Sequence, residues 1–212
     1  MQKTDLTCLR GRFLVFDGPD GSGKTTQFRR MAQRCREAGL EVREVREPGG
    51  TPIGEQIRRI LLDPSNSDMT LRCEMMLYMA SRAQLIEQSI RPALERGELV
   101  LADRFISSTL AYQGTAGGLT HQEILDVGRV AIGDNWPDVT VIFDVSEEAA
   151  AARLNPLLDR MEQKGAAFHR RVRDGFLEQA RAHPDDYLVI DASADEQTVF
   201  DSLYEQLLQR LQ

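Results

Sequence analysis

The chain is poor in cysteine and histidine, carries a single tryptophan and lacks any long apolar run. Its three cysteines, Cys8, Cys35 and Cys73, lie far apart and form no C-x-x-C pair. That spacing argues against a disulfide framework or a thiolate metal site and points to a reduced, cytoplasmic setting. The histidines, His121, His169 and His183, fall in helix or turn contexts and are expected at the surface without a catalytic role. No stretch approaches the roughly 18 consecutive apolar residues of a membrane span, so no membrane is expected as a partner. Basic residues are outnumbered, 26 against 33 acidic, for a formal charge of −7. A broad nucleic-acid footprint is thereby disfavoured, and an anionic ligand must be held by a local cluster of arginines. Internal repeats and low-complexity tracts are absent as well. Met1 to Arg12 holds Lys3, Asp5 and Arg10 but no apolar h-region, and reads as a short frayed extension rather than a secretory signal. Residues 13–212 then suffice for one α/β domain.

What is present centres on Phe13-Leu14-Val15-Phe16, a buried strand that runs into a glycine-rich turn. From Lys24 onward Phe28, Met31, Ala32 and Cys35 recur at helical spacing. Between strand and helix, Gly18, Pro19, Asp20, Gly21, Ser22, Gly23, Lys24 and Thr25, followed by Thr26, fit G-x-x-x-x-G-K-[ST] in full. The glycines permit positive φ, so successive N–H groups can turn inward on a polyphosphate. The helix that follows aims its partly positive end at the same anion. Lys24 adds a mobile charge, and the Thr25 hydroxyl is a candidate Mg²⁺ ligand. The stretch is therefore expected to bind a nucleoside triphosphate.

The rest of the chain alternates strand and helix patterns. Strands are expected at Leu40–Arg46, Leu99–Ala102, Val139–Val145 and Tyr187–Ile190, beside the first. Thr51 and Pro52 suit the N-cap and N1 positions of a helix, and Thr120 and Ser146 suit caps of two others. One long helix is expected over 69–90, with Pro92 kinking or restarting it. Tyr112-Gln113-Gly114 and Ala116-Gly117-Gly118 read as a flexible connection. Residues 153–164 show little periodicity and read as a mobile lid. Five strands separated by helices predict a three-layer α/β fold, a five-stranded parallel sheet flanked by helices.

A phosphate cradle alone does not choose among nucleotide-binding classes. The N-K-x-D segment of a guanine-specific GTPase is missing. Asp103-Arg104 follows a buried strand, where ligands gather in open α/β sheets. Asp103 there can orient Mg²⁺ through water, and the Arg104 fork can hold an acceptor phosphate. The alternative is an ion pair that only caps the strand.

Further segments bear on that choice: Arg46-Glu47-Pro48-Gly49-Gly50-Thr51-Pro52, Arg82-Ala83-Gln84, Asp103-Arg104-Phe105 with Ser108-Thr109, Ala111-Tyr112-Gln113-Gly114, Pro137-Asp138-Val139-Thr140 and Leu158-Asp159-Arg160. With the phosphate loop, in this order, the chain resembles the bacterial-type thymidylate kinases, a branch of the nucleoside monophosphate kinases. The resemblance spans about Phe13 to Asp191. It implies a P-loop kinase fold, transfer of the γ-phosphoryl group of ATP to dTMP, Mg²⁺ and a homodimer. It also implies roles. Asp20 contacts the sugar 3′-hydroxyl, Arg46, Glu47 and Pro48 shape the acceptor cleft, and Arg104 grips the acceptor phosphate. Tyr78, usually Phe in the family, stacks on the base. Arg82 and Thr109 address the base's polar edge with Ser108 in support, Gln113 joins the substrate site, and Tyr112 crowds the 2′ position. A core aromatic is the plainer alternative for Tyr78, and core or subunit packing for Met69, Met75, Met76 and Met79.

An acceptor phosphate is already mostly dianionic at neutral pH, its second pKa being about 6, so no strong general base is needed. The difficulty is charge, which Lys24, Arg104 and lid arginines would meet. Here the sequence departs from the bacterial pattern. Arg153 and Arg160 are the only arginines left in the lid segment, with Asn155 and Pro156 between them, and Gly21 stands where eukaryotic relatives place arginine. A kinase for another nucleotide or nucleoside, and a nucleotide-binding regulatory module with little turnover, remain the rival readings.

Overall fold

A computed structural model describes residues 6–153 and 160–211. Five strands form one wholly parallel sheet: β1 (Phe13–Asp17), β2 (Val42–Arg46), β3 (Leu99–Asp103), β4 (Val139–Asp144) and β5 (Tyr187–Asp191), in the order β2-β3-β1-β4-β5. The helices are α1 (Lys24–Glu37), α2 (Pro52–Leu62), α3 (Leu71–Leu85), α4 (Arg91–Glu95), α5 (Ile106–Thr109), α6 (His121–Ile132), α7 (Glu147–Arg153), α8 (Ala166–Ala182) and α9 (Glu196–Leu211).

The continuous apolar run of β1 is explained by burial on both faces, as parallel sheets require. Alternate residues point to opposite sides. Leu14 and Phe16 pack with Phe28 and Met31 of α1 and Leu203 and Leu207 of α9. Phe13 and Val15 pack instead with Met75 and Met79 of α3 and Ile124 of α6. A third cluster joins Ala111 and Tyr112 to Ile142 of β4 and to Phe168, Val172 and Phe176 of α8. Phe16 is fully buried, and its truncation to alanine would cost about 3–5 kcal/mol.

The predicted caps are present. Thr51 accepts from the Gly54 N–H at 2.9 Å with Pro52 at the first helical position. Thr120 and Glu123 form a reciprocal capping box, and Ser146 accepts from the Ala149 N–H at 3.3 Å.

Four expectations need correction. The helix expected over 69–90 is regular only to Leu85, then widens into a π-type turn at Ile86–Ile90 before α4. The supposed flexible connection is a second π-type turn, Leu110–Thr115, in which Leu110 through Gly114 are buried. Close contact decides this, because a Cβ added to Gly175 of α8 would lie 2.8 Å from Thr115. The second strand begins at Val42 rather than Leu40. Residues 6–12 are not frayed: Leu6 and Leu9 are buried in the core, and Arg12 pairs with Asp138 at 2.6 Å. Of the lid expected at 153–164, residues 154–159, including Asn155, Pro156 and the Leu158-Asp159 pair, lie outside the described residues, as do Met1 to Asp5 of the extension. No described helix is long and apolar enough to cross a membrane.

Candidate active site

Every strand ends on a charged residue: Asp17, Arg46, Asp103, Asp144 and Asp191. The ends of β2 and β3, at Arg46 and Asp103, open with the residues that follow β1 on a cavity of about 740 Å³, and the connections leaving β1 and β4 run to opposite sides, a switch point of the sheet.

The phosphate loop joins β1 to α1. Gly18 has φ 137°, and a Cβ there would meet the Phe143 carbonyl oxygen at 2.6 Å, so only glycine fits. Gly21 (φ 78°) lies against the Ala150 carbonyl of α7, which leaves no room for the arginine of eukaryotic relatives in this conformation. The Lys24 ammonium is buried, 3.5 Å from the Pro19 carbonyl and 3.7 Å from Asp20. Burial and the Arg104 charge lower its pKa, against the pull of Asp20, Asp103 and Asp17. The Ser22 hydroxyl is buried with no hydrogen-bond partner among the described residues, an unmet group that a phosphate oxygen would satisfy. Thr25 donates to Asp103 at 3.2 Å at the head of α1.

Arg104 stands at φ 72°, a conformation that costs a non-glycine residue of the order of 1–3 kcal/mol. Its N–H is tied to the Phe16 carbonyl at 3.0 Å. Its guanidinium reaches Asp20, Asp17 at 3.2 Å, Ser108 at 3.0 Å and the Gly18 carbonyl at 3.3 Å. Asp17, which sequence reasoning missed, is fully buried. It accepts from Ser107 at 2.7 Å and Ser108 at 2.8 Å. Ser108 therefore supports Arg104 through Asp17, and not the Arg82–Thr109 pair as expected. Burial works to raise the Asp20 pKa, but the charges of Arg104 and Lys24 and the Tyr112 hydroxyl hold it well below the usual carboxylate range.

At the other end of the cavity Arg82 is 1 % exposed and pairs with Glu47, its Nε reaching Oε1 at 3.1 Å and Oε2 at 2.9 Å and its Nη2 reaching Oε2 at 2.5 Å. Arg82 also donates to Thr109 at 3.1 Å and lies over the Phe105 ring. Glu47, expected only to shape the cleft, is the buried counter-charge of Arg82. The Glu47–Pro48 peptide is cis. Tyr78 lies four residues before Arg82 on α3, is half-buried and lines the cavity with Arg46, Pro48, Arg104, Thr109, Tyr112 and Gln113. Arg46 pairs with Glu55 at 3.0 Å at the rim. Met75 and Met79 are core residues, whereas Met76 is half exposed.

The two lid arginines separate. The Arg153 guanidinium lies 3.9 Å from where a Gly23 Cβ would sit and donates to the Ala192 carbonyl at 3.2 Å. Arg160 is turned elsewhere: it donates to the Leu61 carbonyl at 2.7 Å and pairs with Glu74 at 2.6 Å. The expectation that Arg160 shares the phosphoryl-transfer role is not met in this arrangement, because a buried carboxylate claims its charge. Glu74 is itself a residue that sequence reasoning missed, since one acidic residue in a helical pattern looks like surface.

The sequence model of the thymidylate kinase family matches residues 16–203. The chain belongs to the thymidylate kinase family. It is 43 % identical over 206 residues to a thymidylate kinase of Exiguobacterium sp., covering 96 % of this chain and 97 % of that one. It is 47 % identical over 193 residues to one from Desulforudis audaxviator, covering 88 % and 86 %. A crystal structure of thymidylate kinase from Ehrlichia chaffeensis superimposes with a TM-score of 0.78 at 32 % identity, over 94 % of this chain and 99 % of that one. The parallel sheet and the phosphate loop are thus those of a P-loop kinase fold.

Proposed function

We propose that the chain transfers the γ-phosphoryl group of ATP to dTMP, giving dTDP and ADP. The observation that carries this reading is one cavity with two differently equipped ends. Lys24, Asp20 and Arg104 surround the mouth of the phosphate loop, while Tyr78, Arg82, Thr109 and Gln113 line the far side. The first end suits two phosphates that must approach each other. The second suits a flat base with a polar edge.

Lys24 and Arg104 offset the charge of donor and acceptor phosphates, and Arg153 lies where it can add to that charge. Asp20, kept ionised, accepts from a sugar hydroxyl. Tyr112 limits the space beside that sugar. No residue acts as a strong base, because the acceptor oxygen is already ionised. The Thr25 hydroxyl and Asp103 carboxylate are oxygen donors of the kind Mg²⁺ takes, and these residues would hold it. When bound, the ion supplies charge neutralisation on the phosphates. Cytoplasmic placement follows from the same reading. A second copy of the chain against α3 and α6 accounts for the exposure of Met76 (54 %) and Val130 (88 %), and mass measurement in solution tests it.

A coupled assay of ADP release against a panel of nucleoside monophosphates decides the matter. Turnover greatest with dTMP is expected. Preference for another monophosphate, or none with any, refutes the reading.

A further inference from the structure

Glu74 is a carboxylate in the interior of α3, 1 % exposed. Buried charges persist only where they are paired. Arg160 meets it at 2.6 Å, and the Lys164 ammonium lies 3.4 Å from both of its oxygens. These two cations account for the charge. The third contact has a different consequence: Gln113 donates its side-chain Nε2 to Glu74 Oε1 at 2.6 Å.

A glutamine amide shows a donor on one side and an acceptor on the other, and its neighbours decide which way it faces. An ion-paired carboxylate only accepts. The Gln113 amino group must therefore face Glu74, and the amide oxygen is turned away from it. That oxygen takes no hydrogen bond among the described residues, and Gln113 lines the acceptor cavity. On the same cavity wall stands Arg82, held by Glu47 and Thr109, whose guanidinium can only donate. The Arg82 Nε and Nη2 are spent on Glu47 and Thr109, so the cavity offers an acceptor from Gln113 and a donor from the Arg82 Nη1, which otherwise meets only the Met79 sulfur at 3.1 Å.

A thymine or uracil edge presents an N3–H donor beside an O4 acceptor. A cytosine edge presents the reverse, an N3 acceptor beside an N4 amino donor. We propose that Glu74 is a specificity-determining positioning residue, which locks the Gln113 amide so that the cavity reads an N3-protonated pyrimidine and rejects cytosine. It never touches the base. This rests on the reading of the cavity as a pyrimidine monophosphate site and names what sets its choice of base. Removing the acceptor-only carboxylate lets the Gln113 amide turn over, because a glutamine at position 74 can face it with either end.

The test measures kcat/KM for dTMP and the inhibition constant of dCMP as a competitor, in the parent, Glu74→Gln, Gln113→Leu and the double variant, with Tm recorded for each. Glu74→Gln should narrow the preference for dTMP over dCMP by about tenfold, the scale of one hydrogen bond turned from matched to mismatched. Gln113→Leu should narrow it too, and adding Glu74→Gln to Gln113→Leu should leave the ratio where Gln113→Leu alone puts it. A merely structural Glu74 would weaken both ligands by the same factor, and that result overturns the proposal. Should Glu74→Gln fail to fold, Gln113→Leu decides alone, since an unchanged ratio there also overturns it. A parent with no turnover on dTMP would overturn the functional reading and this inference together. A parent active on dTMP with the ratio unmoved in the variants would sink only the inference.

Discussion

The Tyr112 hydroxyl donates to Asp20 at 2.7 Å, across 92 residues of sequence, and Arg104 binds the same carboxylate from its other oxygen. The ring that carries this hydroxyl is fixed from behind. Phe168 and Phe176 lie edge-on at 6.2 and 6.3 Å, and the Arg104 guanidinium sits 5.3 Å from the ring centroid. Burial and the negative charge of Asp20 push the Tyr112 pKa well above the usual range, so the phenol stays protonated and donates. On the proposed reading one side chain therefore serves in two ways, as a rigid wall and as a hydrogen-bond donor to Asp20, the acid proposed to meet the sugar.

Those two roles separate by mutation. Tyr112→Ala removes the wall, and the ribonucleotide should gain on the deoxyribonucleotide by about 1–3 kcal/mol in kcat/KM even as total activity falls. Tyr112→Phe keeps the wall and should leave the sugar preference unchanged while lowering kcat/KM for dTMP by about 1 kcal/mol. Comparing dTMP with ribothymidine monophosphate in both variants checks this. Equal losses for both sugars in Tyr112→Ala would make the ring a packing residue only.

Lys24→Met should remove most phosphoryl transfer while the fold survives. The lost charge is the one proposed to face the phosphates, and the methylene stem that packs in the loop is retained. Turnover at the parent rate in a variant with a native circular dichroism spectrum would exclude the loop from catalysis.

The lid arginines should behave differently from each other. Arg153 is exposed beside Gly23, so Arg153→Ala should lower kcat far more than dTMP affinity and leave Tm nearly unchanged. Arginines supplied to phosphoryl transfer are worth on the order of 10³–10⁵ in rate, and the low end is expected here. Arg160→Ala should act on stability instead. It strips one of two cations from buried Glu74, where breaking such a pair costs about 3–5 kcal/mol, and Lys164 should hold the loss near 3. Thermal melts and steady-state kinetics on both variants distinguish these outcomes. A large Tm drop for Arg153→Ala with unaltered kcat would reverse the assignment.

What the sequence could and could not disclose follows from the physics of each residue. Phe13 to Phe16 announced a central strand because burial on both faces leaves a run of apolar side chains. Gly18 to Thr25 announced the loop because phosphate binding demands backbone geometry that few residues allow. Asp17 and Glu74 gave no such sign, since a lone acid is usually solvated and only tertiary packing buries it. Tyr112 to Gly114 looked mobile because glycine marks loops locally, whereas contact with α8 makes that stretch a buried turn. Arg82 was legible as a candidate, but its partner Glu47 lies 35 residues away and only the folded sheet joins them.

That pair supports a final prediction about pH. Burial pushes the Glu47 carboxyl up from its ordinary 4.5 to about 7, against the opposing pull of Arg82. Between those values the folded protein holds a proton that the unfolded chain has released. The folded state therefore gains most from this group below about pH 4.5 and loses that gain as pH rises to about 7, where it levels off. At about 1.4 kcal/mol per pKa unit, the change across the window is on the order of 3 kcal/mol. Asp20 works in the opposite sense, because its pKa is held low. Its contribution is present above the ordinary carboxylate range and lost in stronger acid, outside the Glu47 window. Glu47→Gln removes the titrating group and keeps the side chain's volume. It should be less stable than the parent, since its amino group replaces an oxygen that accepts from Arg82, but the deficit should shrink steadily from about pH 4.5 to 7. Denaturant melts of parent and variant through that range give the difference directly. A deficit that stays constant with pH would mean that Arg82 keeps Glu47 ionised throughout.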